Sequence, residues 1–231
     1  MCDGTRNRRN IKTILMIDSA TYIKTLNATD CNTTGAHAIG LSFPQDYNEV
    51  MFPSITDAEY SFIATDVETK NDFSLRRVYR PANNQQHITG LVDYIRTKGL
   101  QAGDVLCLER RTSILNGSNT TKYYLKVIRR HSILILQKNK IGYIVIRNDI
   151  GPSYFGENHD VLLMGETKVL NISFKENTKG RKNASTTNDF YDVTLDNQNV
   201  SKIIANGYIE IDTITHIIRG VDDVQFVIIN Q

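Results

Sequence analysis

The sequence predicts a mainly β fold that carries two short helices and a β-rich C-terminal extension. Three observations predict it. Strand-length runs rich in Ile, Val, Tyr and Thr recur along the chain, with turn residues between them. Two segments stand out with apolar residues at helical spacing. The longest unbroken apolar stretches, such as Ile133 to Leu136, have the length of a strand, and none approaches the roughly 20 residues that cross a bilayer.

The strands follow in order. Ile11 to Asp18 and Thr21 to Leu26 read as the first two, followed by Tyr60 to Thr65 and Leu75 to Arg80. Asp104 to Arg111, Lys122 to Arg130, Ser132 to Lys138 and Gly142 to Arg147 continue the series. Along Thr121 to Arg130, Tyr124, Lys126 and Ile128 fall on one side and Tyr123, Leu125 and Val127 on the other, the period of two of a half-buried strand. Asn116-Gly117-Ser118-Asn119 is a hairpin signal between two of these strands. The first helix runs from about Pro44 to Phe52, where Pro53 ends it. The second begins near Thr89, a suitable N-cap, carries Leu91, Val92 and Ile95, and stops at Gly99. Arg96 and Lys98 lie in its last turn, where the helix dipole favours cations. Val169 to Phe174, Phe190 to Leu195, Tyr208 to Asp212 and Val224 to Ile229 supply the later strands, and Lys175 to Asn188 is a polar loop. The 231 residues fit one domain with a smaller appendage.

Composition sets limits on function. Hydrophobic residues make up 40% of the chain, enough for a real core. The polar start, Met1 to Arg6, opens no signal-peptide apolar region, and three cysteines, Cys2, Cys31 and Cys107, cannot all pair within one chain. A reducing compartment, the cytoplasm, is the expected location. The net charge of +2 conceals a strong pattern. Residues 1–70 hold 6 Lys/Arg and 9 Asp/Glu, residues 71–140 hold 13 and 4, and residues 141–231 hold 8 and 12. A basic middle between acidic ends favours a polyanionic partner, most often nucleic acid, although solvent-facing Lys and Arg on strands give the same count.

Few catalytic constellations are present. Asp160 with Glu166-Thr167-Lys168, and Asp66 with Glu68-Thr69-Lys70, match the acidic and acidic-x-Lys pattern that metal-dependent nucleases use to hold a divalent ion and activate water. Both strings are short, and salt-linked surface strands would give them too. The sequence holds no Cys-x-x-Cys, Gly-x-Ser-x-Gly or glycine-rich phosphate loop, so no metal site, catalytic residue or cofactor is expected. Two polar stretches carry more information: Lys24 to His37, and Arg76 to His87 inside the basic third. Arg makes bidentate contacts to guanine, and Asn and Gln make them to adenine, while Lys and Arg neutralise phosphates.

The first stretch, Tyr22 to Asp30 with Thr34-Gly35-Ala36-His37 and on through Pro44 to Phe52-Pro53-Ser54-Ile55, resembles the N-terminal effector domain of the EcoRII-type restriction endonucleases. Downstream, Ile88 to Ile95 followed by Gly99-Leu100-Gln101-Ala102-Gly103-Asp104-Val105 resembles the plant B-three DNA-binding domain. The two families share one pseudobarrel, and the resemblance covers roughly residues 20–135. It implies a seven-stranded open pseudobarrel flanked by two short helices, which grips the DNA major groove with two arms. Carried onto this chain, the N-terminal arm is Lys24 to Ser42, with Lys24, Asn32, Thr34, His37 and Ser42 as DNA-binding candidates. The C-terminal arm is Arg77 to His87, with Arg77 and Tyr79 for positioning and Arg80, Asn83, Asn84, Gln85, Gln86 and His87 for base contact. EcoRII-type domains carry a charged string where this chain has Asn83 to His87, which implies a different recognised sequence.

The leading expectation is therefore sequence-specific double-stranded DNA binding by the effector or target-recognition part of a bacterial restriction system. Cleavage would reside in another domain or chain, so a nuclease domain or subunit is an expected second partner, and a membrane is not. Residues 1–150 would form the DNA-binding pseudobarrel and 151–231 a β-rich extension. The alternatives are a metal-dependent endonuclease using Asp160, Glu166 and Lys168, and a structural or protein-interaction β domain.

Overall fold

The computed structural model describes residues 15–31, 40–43, 48–52, 57–80, 85–115, 118–178, 189–221 and 225–229. Its strands in chain order are β1 (Leu15–Thr25), β2 (Leu41–Phe43), β3 (Glu59–Asp66), β4 (Asp72–Arg80), β5 (Gln85–Thr89), β6 (Val105–Leu115), β7 (Ser118–Ile128) and β8 (Ile133–Lys138). They continue as β9 (Tyr143–Asn148), β10 (His159–Leu163), β11 (Val169–Glu176), β12 (Phe190–Leu195), β13 (Gln198–Asn199), β14 (Tyr208–Asp212), β15 (Ile217–Gly220) and β16 (Gln225–Ile229). The helices are α1 (Asn48–Met51) and α2 (Leu91–Lys98). The mainly β expectation holds.

The strands form two sheets. The first has the order β16-β1-β6-β7-β3-β4-β5-β2, so the seven strands of residues 15–128 gain an eighth from the C-terminal region. The second has the order β11-β10-β15-β14-β8-β9-β12-β13, and a further β11–β12 pairing closes seven of its strands into a barrel. Strand pairing passes from the first sheet to the second between Ile128 and Ile133, ahead of residue 150, and returns to the first at Gln225.

Alternation drives the curl of the first sheet. On β3, Phe62, Ala64 and Asp66 turn inward while Ser61 and Ile63 face out. Leu75, Ile88, Leu106, Leu108 and Leu125 join them in the core. Across the inside of the curl, the fully buried Tyr22 on β1 donates its hydroxyl to the Ser42 carbonyl on β2 at 2.7 Å. The short α1 is held by rings rather than by its own turns. Phe52, just after it, packs on Phe62 and Tyr123 at 5.2 and 5.6 Å between centroids, and Tyr123 donates to the Met51 carbonyl at 3.0 Å.

The start of α2 differs from the sequence expectation. Thr89 belongs to β5, where it stands opposite Arg76, and its hydroxyl reaches the Arg76 carbonyl at 3.3 Å. The N-cap is Gly90, whose φ of 89° suits glycine, and a Cβ there would meet the Ser74 carbonyl oxygen at 2.6 Å. Gly99 ends the helix in the left-handed conformation, as expected. Asp66 pins α2 to the sheet. Its carboxylate accepts from Tyr94 at 2.6 Å, from the Thr69 amide at 2.6 Å and from Lys98 at 3.1 Å. Burial alone would raise its pKa, but these hydrogen bonds outweigh burial and hold it well below the usual carboxylate range.

The second barrel buries Leu134, Leu136, Ile172, Val193, Leu195, Ile209, Ile211 and Ile218 inside. Its outer face at β8 carries Ile133 and Ile135, which pack with Ala102 from the turn before β6 and with Ile146 and Tyr208. A small apolar core thus lies where the two sheets meet.

Two substitutions test these supports. Tyr22→Phe removes the hydroxyl that links β1 to β2 and should lower unfolding stability by about 1 kcal/mol in urea titration. Asp66→Asn leaves Lys98 without its buried counter-charge and should cost more, about 3 kcal/mol in the same assay.

Candidate nucleic-acid interface

The candidate arms meet along the edge β2–β5–β4. Ser42 stands directly opposite His87, and His87 opposite Val78, so the three side chains share one face. Gln86 stands opposite Phe43 and Tyr79 with its side chain on the other, inner face of the sheet, and Gln85 stands opposite Arg80. Ser42 and Arg80 are exposed, and Arg80 forms no ion pair among the described residues. The sequence spacing of 45 residues between Ser42 and His87 gave no hint of this contact; it follows from register.

His87 is half-buried, and its Nδ1 has no hydrogen-bond partner among the described residues. Burial first, then the positive charges of Arg80 and Lys24, lower its pKa from the ordinary histidine value. The ring is therefore neutral near pH 7 and offers one donor and one acceptor. Gln86 is 3% exposed, and its Oε1 also lacks a partner among the described residues.

Two candidates serve the frame. Arg77 turns inward on β4, donates through Nη2 to the Asp57 carbonyl, and lies 5.9 Å from the Phe52 ring centroid. Lys24 is 3% exposed and paired with the buried Asp30 at 3.0 Å, so its ammonium faces a carboxylate and not solvent. The same carboxylate accepts from the Asn27 amide at 2.9 Å, while Asn27 Oδ1 accepts from the Asp30 amide at 2.9 Å. This reciprocal pair fixes Leu26 to Cys31, the base of the N-terminal arm. Tyr79 is half-buried, with its amide donating to the Ala58 carbonyl at 2.8 Å. Asn32, Thr34, His37, Asn83 and Asn84 lie outside the described residues, and Gln85 is described in its backbone only.

The structure also shows where the basic excess goes. Arg110 is buried and forms a fork to Asp18 at 2.6 and 2.9 Å, Lys98 pairs with Asp66 and Glu68, and Arg130 pairs with Glu210 and Asp212. All of those acids lie outside residues 71–140, so part of the central charge neutralises the acidic flanks internally. Arg80, Lys122, Lys126, Arg129, Lys138 and Lys140 remain exposed with no ion pair among the described residues. Lys122 and Lys126 flank Tyr124 on the outer side of β7, and the Arg111 guanidinium lies 4.6 Å from the Tyr124 ring centroid. The alternation of this strand was visible in sequence, but which side faced out was not.

The endonuclease candidates have separate partners. Lys168 pairs with Asp196 at 3.0 Å, and Asp160 accepts from Asn171 at 3.3 Å. No group of three or more His, Cys, Asp or Glu suited to a metal occurs among the described residues. No helix among them is long and apolar enough to cross a membrane.

Comparison with known proteins gives these neighbours. No family model matches the chain, and no curated protein matches it. Among solved structures it is similar to a plant B3 domain, the Arabidopsis FUS3–DNA complex. That match has 16% identity, covers 49% of this chain and 97% of that one, and has a TM-score of 0.37. It is also similar to the UbaLAI restriction endonuclease B3 domain with cognate DNA, at 20% identity, over 49% of this chain and 70% of that one, with a TM-score of 0.34.

A pH titration checks the histidine. Its folded pKa lies below the unfolded one, so the folded state resists protonation that the unfolded state accepts. Stability is then undiminished above about pH 6.5 and falls as pH drops below it. Between pH 7 and 5 the parent should lose more unfolding free energy than His87→Gln.

Proposed function

We propose that this chain binds double-stranded DNA sequence-specifically through the major groove, using the two segments that meet on the β2–β5–β4 edge. The observation that carries the proposal is the row itself. Ser42 and His87, from two distant segments singled out as arms, are direct cross-strand neighbours, with the exposed Arg80, which has no ion pair among the described residues, on the same face. In this reading Arg80, Asn83, Asn84, Gln85 and His87 read bases, and the buried Gln86 supports the arm from its inner face. Asn32, Thr34, His37 and Ser42 contact DNA from the other arm, Arg77 and Tyr79 hold the C-terminal arm in place, and Lys24 holds the base of the N-terminal one. The exposed cations of β7 add to a field that attracts phosphates.

The chain would act as the effector or target-recognition part of a bacterial restriction system, with cleavage supplied by a nuclease domain or subunit. The free thiols of Cys31 and Cys107 are consistent with a cytoplasmic setting.

Selection of bound duplexes from a random pool tests binding and specificity together. One enriched sequence, bound with strong salt dependence, is the expected result. Arg80→Ala and Asn84→Ala should each cost about 1–3 kcal/mol on that sequence and relax the preference at one position. Equal affinity of both variants and the parent for every duplex would show the arm assignment to be wrong.

A further inference from the structure

The base of the N-terminal arm is fastened to the second barrel. The β1–β6 ladder runs on past Thr25: the Leu26 amide donates to the Asp104 carbonyl at 2.9 Å, and the Gly103 amide donates to the Leu26 carbonyl at 2.7 Å. Residues 101–104 are in turn shaped by the Asp104 carboxylate, which is 2% exposed. Its Oδ2 accepts from the Gln101 amide at 3.0 Å, and its Oδ1 from the Arg130 amide at 3.1 Å and from Arg147 Nη1 at 3.0 Å.

Arg147 comes from β9, in the closed barrel, and commits all three of its nitrogens. Nη1 also reaches the Ala102 carbonyl at 2.9 Å, Nη2 donates to the Arg130 carbonyl, and Nε lies 2.9 Å from Asp149. Gly103, at a φ of 90°, packs closely here: a Cβ on it would displace the Cδ1 ends of Ile133 and Ile135, which would lie 2.5 Å away. The arm side of the joint is equally close. Cys31, which ends the described part of the arm base, has a thiol pushed up to about 12 by burial and by the charges of Asp30 and Asp104.

We infer that Arg147 is a positioning residue for DNA recognition: it fixes the turn at Ala102–Asp104, and that turn sets the direction in which the N-terminal arm leaves β1 at Leu26. The inference rests on the proposed DNA-binding role of that arm. It gives the second barrel a part in specificity without any contact to DNA. A planar fork is required, since a lysine can supply the charge but not the simultaneous bonds to Asp104, Ala102 and Arg130.

The test compares full-length parent, Arg147→Lys and Asp104→Asn, with Arg219→Lys as a second-barrel control at the Glu210 carboxylate that leaves the bonds of Asp104 and Arg147 in place. Two quantities are read: amide exchange over Leu26 to Cys31, and the ratio of affinities for the pool-selected duplex and a scrambled duplex at one salt concentration. The expected result is faster exchange over Leu26 to Cys31 in both junction variants and a ratio lower by about tenfold, with scrambled-duplex affinity unchanged and Arg219→Lys like the parent. Unchanged exchange would overturn the inference, as would faster exchange with an unchanged ratio. Equal losses on both duplexes alongside a lower unfolding midpoint would show a merely structural joint and overturn it too. If the parent itself binds no duplex, the DNA-binding reading fails and this role fails with it, while the exchange data still report whether Arg147 holds the segment.

Discussion

The carboxylate of Asp104 is the constraint on which the two halves of the molecule depend. One buried group orders the turn after α2, receives the amide of the link into the second barrel, and takes the guanidinium that crosses between them. Removing a charge like this from water costs several kcal/mol, and only near-complete hydrogen bonding offsets that cost. Here the geometry offsets it on both sides, because Arg147 finds backbone carbonyls as well as carboxylates. The consequence is a joint with little freedom to shear. The apolar contact of Ala102 with Ile133 and Ile135 alone would allow sliding. The ion pair, being directional, does not.

Much of the fold was legible in the sequence where periodicity was strong. Phe190–Leu195 and Tyr208–Asp212 begin and end where their apolar patterns do. The edges of β3, β4 and β7 shift by only a few residues from the runs that announce them. Legibility failed where burial was one-sided or short. On β10 only Val161 is buried, and β15 has four residues, so neither left a pattern. Two expected strands near the start are one, β1, because the irregularity in its pairing falls between Met16 and Asp18 rather than after Ser19. Thr89 reads as a helix cap from its residue type alone, but the β4–β5 ladder takes it first and leaves the cap to a glycine.

The candidate site was less legible, for a different reason. Residue type marks a cation as a phosphate ligand, but exposure decides whether it is available. Lys24 and Arg77 carry the same formal charge as Arg80, yet a carboxylate six residues on and a carbonyl twenty residues back hold them inside. The same distinction applies to the whole basic third. A charge count along the chain cannot separate Arg110, forked on Asp18, from Lys126, which faces solvent. Nor can it bring Ser42 beside His87, because that neighbour relation exists only once β2 has found its register on β5.

The return of the chain to its first sheet has a kinetic consequence. Ser19 pairs with Ile229, so the outermost ladder of that sheet joins segments from opposite ends of the described chain. Everything in the second barrel lies between them in sequence. Closing so long a loop from a disordered chain is slow, because the entropy must be lost before any contact compensates. Within the barrel, however, β14 pairs with both β8 and β15, so only one strand separates the entry of the excursion from the last strand before its exit. Once the barrel forms, the long detour becomes a short one, and β16 is delivered close to the edge that awaits it. The topology thus favours formation of the inserted barrel before the last strand docks.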